Sequence, residues 1–358
     1  MEKSLNETLI LSCADVQQIV RHYGLDHLMD TLIARLEQAM REFDPLETII
    51  PVRSGFHYSR PQTGLIEWMP LLKQERQVMI KVVGYHPRNP FINGHPTIIS
   101  TISSYDTASG RLVAVMDGVL STALRTGAAS AIATRLMAHP DSTTLGLIGC
   151  GAQAVTQLHA LTRVFPIKKV LFFDVDTRAA QSFPERCEFF IGGIEMIPSS
   201  IPDIVRTSDI LCTATSIDVG AGPLFSNIET KPFVHINAIG SDFPGKTELP
   251  IDLLKECFVC PDFRAQAIVE GECQQLQPKN IGPDIVEVVR NPGQYDHVRK
   301  GRSVFDSTGW ALEDNVAMEL FLEYATKLGL GQFIEIENLP EVANNPYHFV
   351  SEVAAKIP

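Results

Sequence analysis

Cysteine is scarce in this sequence. Seven cysteines are spread over 358 residues, an odd and small number that argues against a disulfide framework. Cys257 and Cys260 form one CxxC pair, but the residues between them are typical of a strand. No second CxxC or histidine pair stands at zinc-finger spacing to complete four ligands. We therefore predict free thiols buried in the core and no metal site.

Positive charge and long apolar runs are also lacking. Lys and Arg number 30 against 42 Asp and Glu, a formal net charge of −12, which argues against nucleic acid and anionic membrane as partners. No apolar stretch approaches the roughly 18 residues of a membrane-spanning helix, and residues 1–4 do not begin a signal peptide. We expect a cytoplasmic protein that acts on a small molecule.

The chain is longer than one average domain, and its pattern changes along its length. From residue 143 to 260, short β-branched runs alternate with helix-like segments, which is typical of a parallel α/β fold. The predicted strands are 143–148, 169–173, 210–214, 233–238 and 258–260.

The first 120 residues have a different pattern. Two β-rich segments, 78–83 and 97–103, are separated by a stretch rich in Gly, Pro and Asn, which predicts an antiparallel sheet in an α+β domain. Apolar residues at helical spacing from Leu124 to Leu136 predict a helix that bridges to the α/β region. The pattern of residues 311–330 predicts a further helix. We expect one domain of 1–125 plus 311–358 and a second of 126–310.

A glycine-rich loop follows the first predicted strand of the α/β region. Residues 149–154 read Gly-Cys-Gly-Ala-Gln-Ala, a GxGxxA pattern in which Gly149 permits a tight turn and Gly151 lets the backbone approach a pyrophosphate. The helix that opens at this loop offers free N–H groups to phosphates. The loop therefore predicts dinucleotide binding.

Asp174 ends the next predicted strand, where an acidic residue binds the adenosine ribose hydroxyls in NAD proteins. Its charge would repel a 2′-phosphate, and the nearest following arginine is Arg178, so we predict NAD rather than NADP. Asp176 is the competing acid, but a solvated turn carboxylate is the better interpretation of that residue.

A second polar run, residues 235–249, begins as a strand and continues as a loop containing Asp242 and Lys246. Ligands of doubly wound sheets bind outside the carboxyl ends of the strands, so these two charges are well placed for chemistry. An ordinary Asp-containing turn fits the pattern as well.

Several blocks, in order, resemble the ornithine cyclodeaminase and mu-crystallin family, and bacterial ornithine cyclodeaminases most closely. The resemblance runs from about Arg53 to Asp314. Its most specific blocks are 64–70, Lys81 with His86-Pro87, 122–126, 149–153, 235–249, 270–276 and 305–307. It implies a Rossmann-type doubly wound parallel sheet plus an α+β N-terminal domain that binds substrate and dimerises, and hence a homodimer.

The resemblance also implies roles for charged residues. Arg53, Lys81 and Arg125 would bind the α-carboxylate of an amino acid, and we expect Arg125 in the first turn of the bridging helix, where the helix dipole favours an anion. Glu67 would lie near the side-chain amine. The remaining residues implied for the substrate are Thr97 lining the pocket, Asp242 as catalytic acid and base, and Lys246 beside it.

The cofactor implied is NAD, with no metal. The residues expected around it are Thr126, Gly149, Gly151, Ala152, Gln153, Asp174, Thr213, Asn237 and Ser307.

The reaction implied is conversion of L-ornithine to L-proline and ammonia, with hydride transferred to NAD and back. Two departures leave chain length open: Phe243 stands where cyclodeaminases carry Cys, and Thr308 where they carry Val. The alternatives are a lysine cyclodeaminase, since a methylene is worth only about 1–3 kcal/mol, an NAD-dependent amino-acid dehydrogenase, and a mu-crystallin-like binding protein without turnover.

Overall fold

The protein is described by a computed structural model covering residues 6–226, 229–347 and 350. Parts of the two predicted domains, at 1–5, 227–228, 348–349 and 351–358, lie outside the described residues. The fold is mixed α/β and contains two separate sheets. The boundaries expected for the two domains stay a prediction.

The chain passes between the two sheets twice: it completes most of the first sheet, then forms the second, and finally returns to the first. The first part contains β1 (Thr8–Leu11), α1 (Cys13–Tyr23), α2 (Leu25–Glu42), β2 (Thr48–Ile49), β3 (Ser54–Tyr58), β4 (Gly64–Lys73), β5 (Gln77–Tyr85), α3 (Asn89–Ile92), β6 (Ile98–Asp106) and β7 (Leu112–Asp117). Helix α4 (Val119–Met137) then leads into the second part.

The second part contains β8 (Thr144–Ile148), α5 (Ala152–Val164), β9 (Lys169–Phe173), α6 (Thr177–Cys187), β10 (Glu195–Pro198), α7 (Ile201–Thr207), β11 (Ile210–Thr213), β12 (His235–Ala238), α8 (Ile251–Glu256), β13 (Phe258–Pro261), α9 (Arg264–Ala267), α10 (Ile285–Arg290) and β14 (Ser303–Asp306). Helix α11 (Ala311–Leu328) and β15 (Gln332–Ile334) return to the first sheet.

The second sheet is parallel throughout, in the order β10-β9-β8-β11-β12-β14-β13. Its order reverses beside β8, which creates the switch point where ligands bind in doubly wound folds. All five predicted strands are present, with ends shifted by at most two residues. Strands β10 and β14 were not predicted, because neither Glu195–Pro198 nor Ser303–Asp306 contains a run of β-branched residues.

The first sheet is antiparallel except at one pair. Its order is β15-β1-β7-β6-β5-β4-β2, with β3 also on β4, and β1 pairs with β7 in parallel. The predicted segments 78–83 and 97–103 correspond to β5 and β6, which pair antiparallel as expected. One face buries Leu71, Met79 and Ile102 against α2, α4 and α11, and this face also leads into the cleft described below.

Helices α4 and α11 connect the two sheets. Helix α4 packs on α2, α5 and α11, and α11 packs on α1, α2, β4 and β5. The approach of α4 to α5 is close, because a Cβ atom at Gly127 would lie 2.6 Å from the Thr156 carbonyl oxygen. Among the described helices, none is both long and apolar enough to cross a bilayer. All seven cysteines are free, and five of them are buried.

Candidate active site

A cleft lies between the first sheet and the carboxyl edge of the parallel sheet. Its walls come from β4, β5 and α4 and from the segments that follow β8, β12 and β14. Eight of the site residues predicted from the sequence line this cleft: Arg53, Glu67, Lys81, Arg125, Thr126, Gln153, Asp242 and Ser307. Residues from seven separate segments of the chain are therefore brought to one place.

The glycine-rich loop forms one end of this region. Gly149 has φ +98°, and a Cβ atom there would lie 2.5 Å from the Ala214 carbonyl oxygen, so only glycine fits. At Gly151 an added Cβ would meet no described atom within 4 Å. Helix α5 begins at Ala152, and no side chain in the described ranges caps its first amides. The beginning of α5 therefore presents uncapped backbone N–H groups beside the loop, which fits the diphosphate of a dinucleotide.

Asp174 follows β9 and contacts the same loop. Its carboxylate accepts hydrogen bonds from the amides of Cys150 (2.7 Å) and Asp176 (2.8 Å). Asp176 instead caps α6 by accepting from the Arg178 amide at 3.0 Å, and the Arg178 guanidinium turns back to Asp176 at 3.4 Å. Asp176 thus has the structural role of a turn carboxylate, and Arg178 is engaged away from Asp174.

Of the residues predicted to bind the cofactor outside 149–154 and Asp174, two line the cleft and two are buried away from it. Thr126 and Ser307 line the cleft, and the buried Ser307 Oγ has no hydrogen-bond partner among the described residues. Thr213 and Asn237 are fully buried inside the sheet. The Asn237 amide donates to Thr134 Oγ1 of α4 at 2.9 Å, so its side chain binds a neighbouring helix rather than lining the cleft.

Two cations at the opposite end share one carboxylate. Lys81 Nζ lies 2.7 Å from Asp314 Oδ2, and Arg125 Nε donates to Asp314 Oδ1 at 3.0 Å. Arg125 also donates to Glu313 at 2.6 Å. The expected place of Arg125 in the first turn of its helix is wrong: α4 begins at Val119, so Arg125 is its seventh residue, and acidic side chains of α11 rather than the helix dipole balance its charge.

Arg53 is the third cation. Its guanidinium lies 3.1 Å from Glu270 Oε1 and 3.7 Å from Glu67 Oε2, and it donates to the Gly309 carbonyl at 2.8 Å. Its Nε atom is buried and has no partner in the described part of the chain. One donor of a guanidinium that lines the cleft is therefore left without an acceptor among the described residues.

The electrostatics of this end follow from burial. Burial and the nearby Arg125 lower the pKa of Lys81 to about 7, against the opposing effect of Asp314. Burial raises the pKa of Glu270 to about 8 and that of Glu313 to about 7, while Arg53 and Arg125 oppose those shifts. Around neutral pH the net charge of this cluster is therefore poised to change.

Asp242 and Lys246 form a pair on the loop after β12. Lys246 Nζ donates to Asp242 Oδ1 at 2.8 Å and to the Thr215 carbonyl at 3.0 Å. The Tyr85 ring lies beside the ammonium, with its centroid 5.1 Å away. Lys246 is almost fully buried, whereas the Asp242 side chain keeps 24% exposure toward the cleft. Asp242, the predicted catalytic acid, is thus accessible from the cleft, and Lys246 is buried behind it.

Glu67 lines the same cleft as Asp242. His57 Nε2 lies 3.3 Å from Glu67 Oε1, and the His57 ring packs on Phe243 with centroids 4.6 Å apart. Thr97 is not among the lining residues; its neighbour Ile98 is, and the Thr97 carbonyl accepts from the His86 amide. Phe243 and Thr308, the two departures from the cyclodeaminase pattern, both lie at the site.

Four acidic residues of the site were not assigned from the sequence: Asp262, Glu270, Glu313 and Asp314. Asp262 accepts from the Gly309 amide at 2.7 Å and from Thr308 Oγ1 at 3.1 Å. A signal existed for one pair, because Glu313 and Asp314 interrupt a largely apolar helix and are fully buried there. Buried charges of this kind require partners, which would have indicated cations on a neighbouring element.

Comparisons with known proteins agree with this geometry. The model of the ornithine cyclodeaminase/mu-crystallin family matches residues 7–328. L-lysine cyclodeaminase of Streptomyces rapamycinicus is 41% identical over 95% of this chain and 99% of its own. Ornithine cyclodeaminase of Agrobacterium tumefaciens is 30% identical over 89% of this chain and 87% of its own. The resemblance to the family is confirmed, but the lysine enzyme has the higher identity of these two.

Solved structures match over the same length. A lysine cyclodeaminase studied for recognition of L-lysine, L-ornithine and L-2,4-diaminobutyric acid superposes with a TM-score of 0.93, at 45% identity, over 96% of this chain and 99% of that one. An archaeal alanine dehydrogenase dimer with bound NAD superposes with a TM-score of 0.79, at 31% identity, over 92% of this chain and all of that one.

Proposed function

Because the chain belongs to the ornithine cyclodeaminase/mu-crystallin family, we propose that it is an NAD-dependent cyclodeaminase of L-diamino acids. L-lysine, which would give L-pipecolate and ammonia, is the first candidate substrate. The single observation that carries the proposal is the cleft itself, which is lined by three cations, Arg53, Lys81 and Arg125, and by two acids from other segments, Glu67 and Asp242. Such a gathering of buried charge is costly without a ligand of complementary charge.

NAD would be held by the loop at Gly149 and Gly151, by the first amides of α5 and by Asp174. Gln153 and Thr126 would line the part of the cleft where the nicotinamide meets the substrate. The cofactor, when bound, supplies the acceptor and donor of a hydride at Cα. The preference over NADP rests on Asp174, because its carboxylate would repel a 2′-phosphate.

The α-carboxylate of the substrate would bind at the cationic end. Arg53 Nε lacks a protein acceptor among the described residues, and the Lys81 ammonium, with three donors, has a single close carboxylate. Arg125 is oriented by Glu313 and Asp314, so its remaining guanidinium face is fixed without a rotamer change. These donors would hold Cα against the cofactor.

Asp242 would accept and return the amine protons as ring closure proceeds. In the net reaction the distal amine forms a bond to Cα, and the α-amine leaves as ammonia. Lys246 orients the Asp242 carboxylate through the 2.8 Å contact, and Glu67 would attract the distal ammonium of the incoming substrate. Burial of the whole site would keep water from the imine carbon.

L-ornithine, which would give L-proline, is the second candidate substrate. It is favoured by the 30% identity to an ornithine cyclodeaminase and by the lysine cyclodeaminase whose structure concerns both diamino acids. One methylene changes binding by about 1–3 kcal/mol, so a site for one substrate would also accept the other at a lower rate.

The test is to incubate the pure protein with a catalytic amount of NAD and each diamino acid. We expect ammonia and the cyclic amino acid in equal amounts, no build-up of reduced cofactor, and a higher kcat/KM for L-lysine. Reduced cofactor accumulating in step with ammonia would indicate a dehydrogenase. Binding of NAD without ammonia from any diamino acid would indicate a binding protein.

We also propose that the outer face of the first sheet pairs with a second copy of the chain. Its exposed large apolar residues include Phe56, Ile66, Val82 and Ile99 on β3 to β6, and register places Phe56 opposite Ile66. An apolar face of this kind marks an interaction surface. Ile66→Asp is expected to convert a dimer to monomers in sedimentation velocity, whereas Val175→Asp, at an exposed position after β9, should not.

A further inference from the structure

Glu248 is a buried carboxylate that has no part in the proposed chemistry. Its side chain is fully inaccessible, and all its hydrogen-bond partners are donors. Oε1 accepts from the Thr215 amide at 2.8 Å and from Thr215 Oγ1 at 2.6 Å, and Oε2 accepts from the Gly240 amide at 3.0 Å. The carboxylate therefore ties the segment after β11 to the end of β12.

These two points of attachment support the Asp242–Lys246 pair from both sides. The Thr215 carbonyl accepts from Lys246 Nζ at 3.0 Å, and Lys246 in turn holds Asp242 at 2.8 Å. Gly240 lies two residues before Asp242 in the same loop. A change at Glu248 would consequently affect the pair by two routes. It would move Gly240, which precedes Asp242 in the loop, and it would move the Thr215 carbonyl, which accepts from Lys246.

The fit between Glu248 and Gly240 is close. A Cβ atom at residue 240 would lie 2.2 Å from Glu248 Oε1, a distance that no side chain can occupy. The space for the carboxylate thus depends on glycine at this position, although Gly240 has no positive φ that would require one.

Gln274 holds the same loop from the other side. Its Oε1 accepts from the Gly245 amide at 2.7 Å, and its Nε2 donates to the Lys246 carbonyl at 2.9 Å. Glu272 accepts from the Glu248 amide at 2.7 Å. The turn that carries Lys246 is therefore bound by hydrogen bonds at residues 245, 246 and 248.

We propose that Glu248 and Gln274 are positioning residues for the Asp242–Lys246 pair, which deepens the proposed function and rests on it. Glu248 acts through Thr215 and Gly240, and Gln274 acts through the backbone of Gly245 and Lys246. Neither side chain touches the cleft. Their effect is on the place of the acid and not on the binding of substrate or cofactor.

Substitutions can separate this role from a general structural one. In wild type both Glu248 oxygens accept from backbone amides, but the amide of Glu248→Gln has a single acceptor oxygen. We therefore expect the turn to shift. A displacement of Asp242 near 1 Å would lower kcat about 100-fold. Gln274→Met keeps the volume and removes both turn hydrogen bonds, with an expected fall of about tenfold. KM and the Kd of NAD should change by less than about threefold in both.

Gln275 provides the matched control. Both glutamines lie on a short 3₁₀ helix, Glu272–Gln275, and are half-buried, but the Gln275 amide donates to the Leu249 carbonyl and to Glu272 rather than to Gly245 or Lys246. Gln275→Met should keep kcat within about twofold of wild type even where its Tm falls as far as that of Gln274→Met. The conservative Gln274→Glu, which keeps the acceptor for the Gly245 amide, should recover part of the lost kcat.

A second measurement does not depend on turnover. Acylation of the folded holoprotein by an amine-reactive ester, followed by proteolysis and mass spectrometry of the peptide that carries Lys246, reports how firmly the turn holds its lysine. We expect slow labelling in wild type and Gln275→Met, and labelling at least about tenfold faster in Gln274→Met and Glu248→Gln.

The outcomes separate the two proposals. If wild type releases no ammonia from any diamino acid, the proposed function is wrong, and the labelling rates still decide the positioning role. Equal kcat losses in Gln274→Met and Gln275→Met, with Lys246 equally protected in both, would overturn the positioning role. If Glu248→Gln does not fold, Gln274→Met, Gln274→Glu and the control Gln275→Met still test the positioning role.

Discussion

The two ends of the cleft are built by different means. The dinucleotide end uses backbone amides and glycines from one continuous segment, 149–154, with Asp174 from the next strand. The amino-acid end uses charged side chains from β4, β5, α4, α11 and two connecting segments. The first end is local in sequence, and the second exists only in the folded chain.

This difference has an energetic consequence. Backbone donors need no counter-charge, so the dinucleotide end costs little when it is empty. At the other end each cation is balanced by carboxylates that a ligand does not displace, because Asp314, Glu313 and Glu270 are buried. Removing one member leaves a buried charge unpaired, which costs about 3–5 kcal/mol. We therefore expect variants of the amino-acid end to affect stability as well as activity.

The sharpest test of the comparison is Asp242→Asn. The amide keeps the shape of the side chain but cannot accept a proton, so turnover should fall by at least about 100-fold. The Kd of NAD, measured by protein fluorescence, should stay near that of wild type, because Asp242 lies on the loop after β12 and not on the glycine-rich loop. Activity within a few-fold of wild type would remove Asp242 from the mechanism.

The polarity of the amino-acid end can be tested with one pair of variants. Glu67→Gln should lower kcat/KM for L-lysine and L-ornithine about 30-fold, since hydrogen bonds to charged groups are worth about 2 kcal/mol. Oxidation of norvaline, which lacks a distal amine, should change little. Arg53→Ala, on the same wall, should lower kcat/KM for all three alike. Equal losses for all three substrates in Glu67→Gln would contradict a two-ended site.

A smaller effect is expected at the dinucleotide end. Asp174→Ala should weaken NAD about tenfold and reduce its advantage over NADP, because hydrogen bonds to the ribose and repulsion of a phosphate are lost together. Titration of both cofactors by fluorescence measures this directly. Asp176→Ala is the control, since Asp176 caps α6. An unchanged preference in Asp174→Ala would assign cofactor selection to another group.

The smallest effect is a pH dependence of carboxylate binding. The pKa of Lys81 is about 7, so the ammonium that would bind the ligand is progressively lost above that pH, and the Kd of L-pipecolate should rise about fivefold between pH 7 and pH 8. Deprotonation of Glu270, whose pKa is about 8, also raises the Kd, because the charged carboxylate pairs with Arg53 and competes with the ligand. Calorimetric titration of the NAD complex gives the Kd, and Lys81→Met should bind more weakly with a shallower dependence. A Kd independent of pH in wild type would exclude Lys81 from the site.

The same contrast explains how far the sequence could be interpreted. Strand β9 was predicted to the residue, because Lys169–Phe173 is a compact β-branched and aromatic run before an acidic residue. Strand β14 was not predicted, since Ser303–Asp306 is stabilised by its neighbours β12 and β13 rather than by its own pattern. For β9 the local signal was therefore sufficient.

The charged network could be predicted only through the family resemblance and only in part. Arg53, Lys81 and Arg125 matched family positions, but their partners on α11 lie about 190 residues or more away from Arg125 and Lys81 in the chain. No periodicity links such positions. Glu270 stood in a quoted block without a role, because its function in holding Arg53 depends on a distance that only the fold provides.

Asp314 gives the order in which the site is completed during synthesis. It balances Lys81 and Arg125, yet it is made long after both of them and after the whole parallel sheet. Until α11 leaves the ribosome, Lys81 and Arg125 lack the carboxylate that they share in the complete chain. Synthesis must therefore reach the beginning of α11 before the charges of Lys81 and Arg125 are balanced.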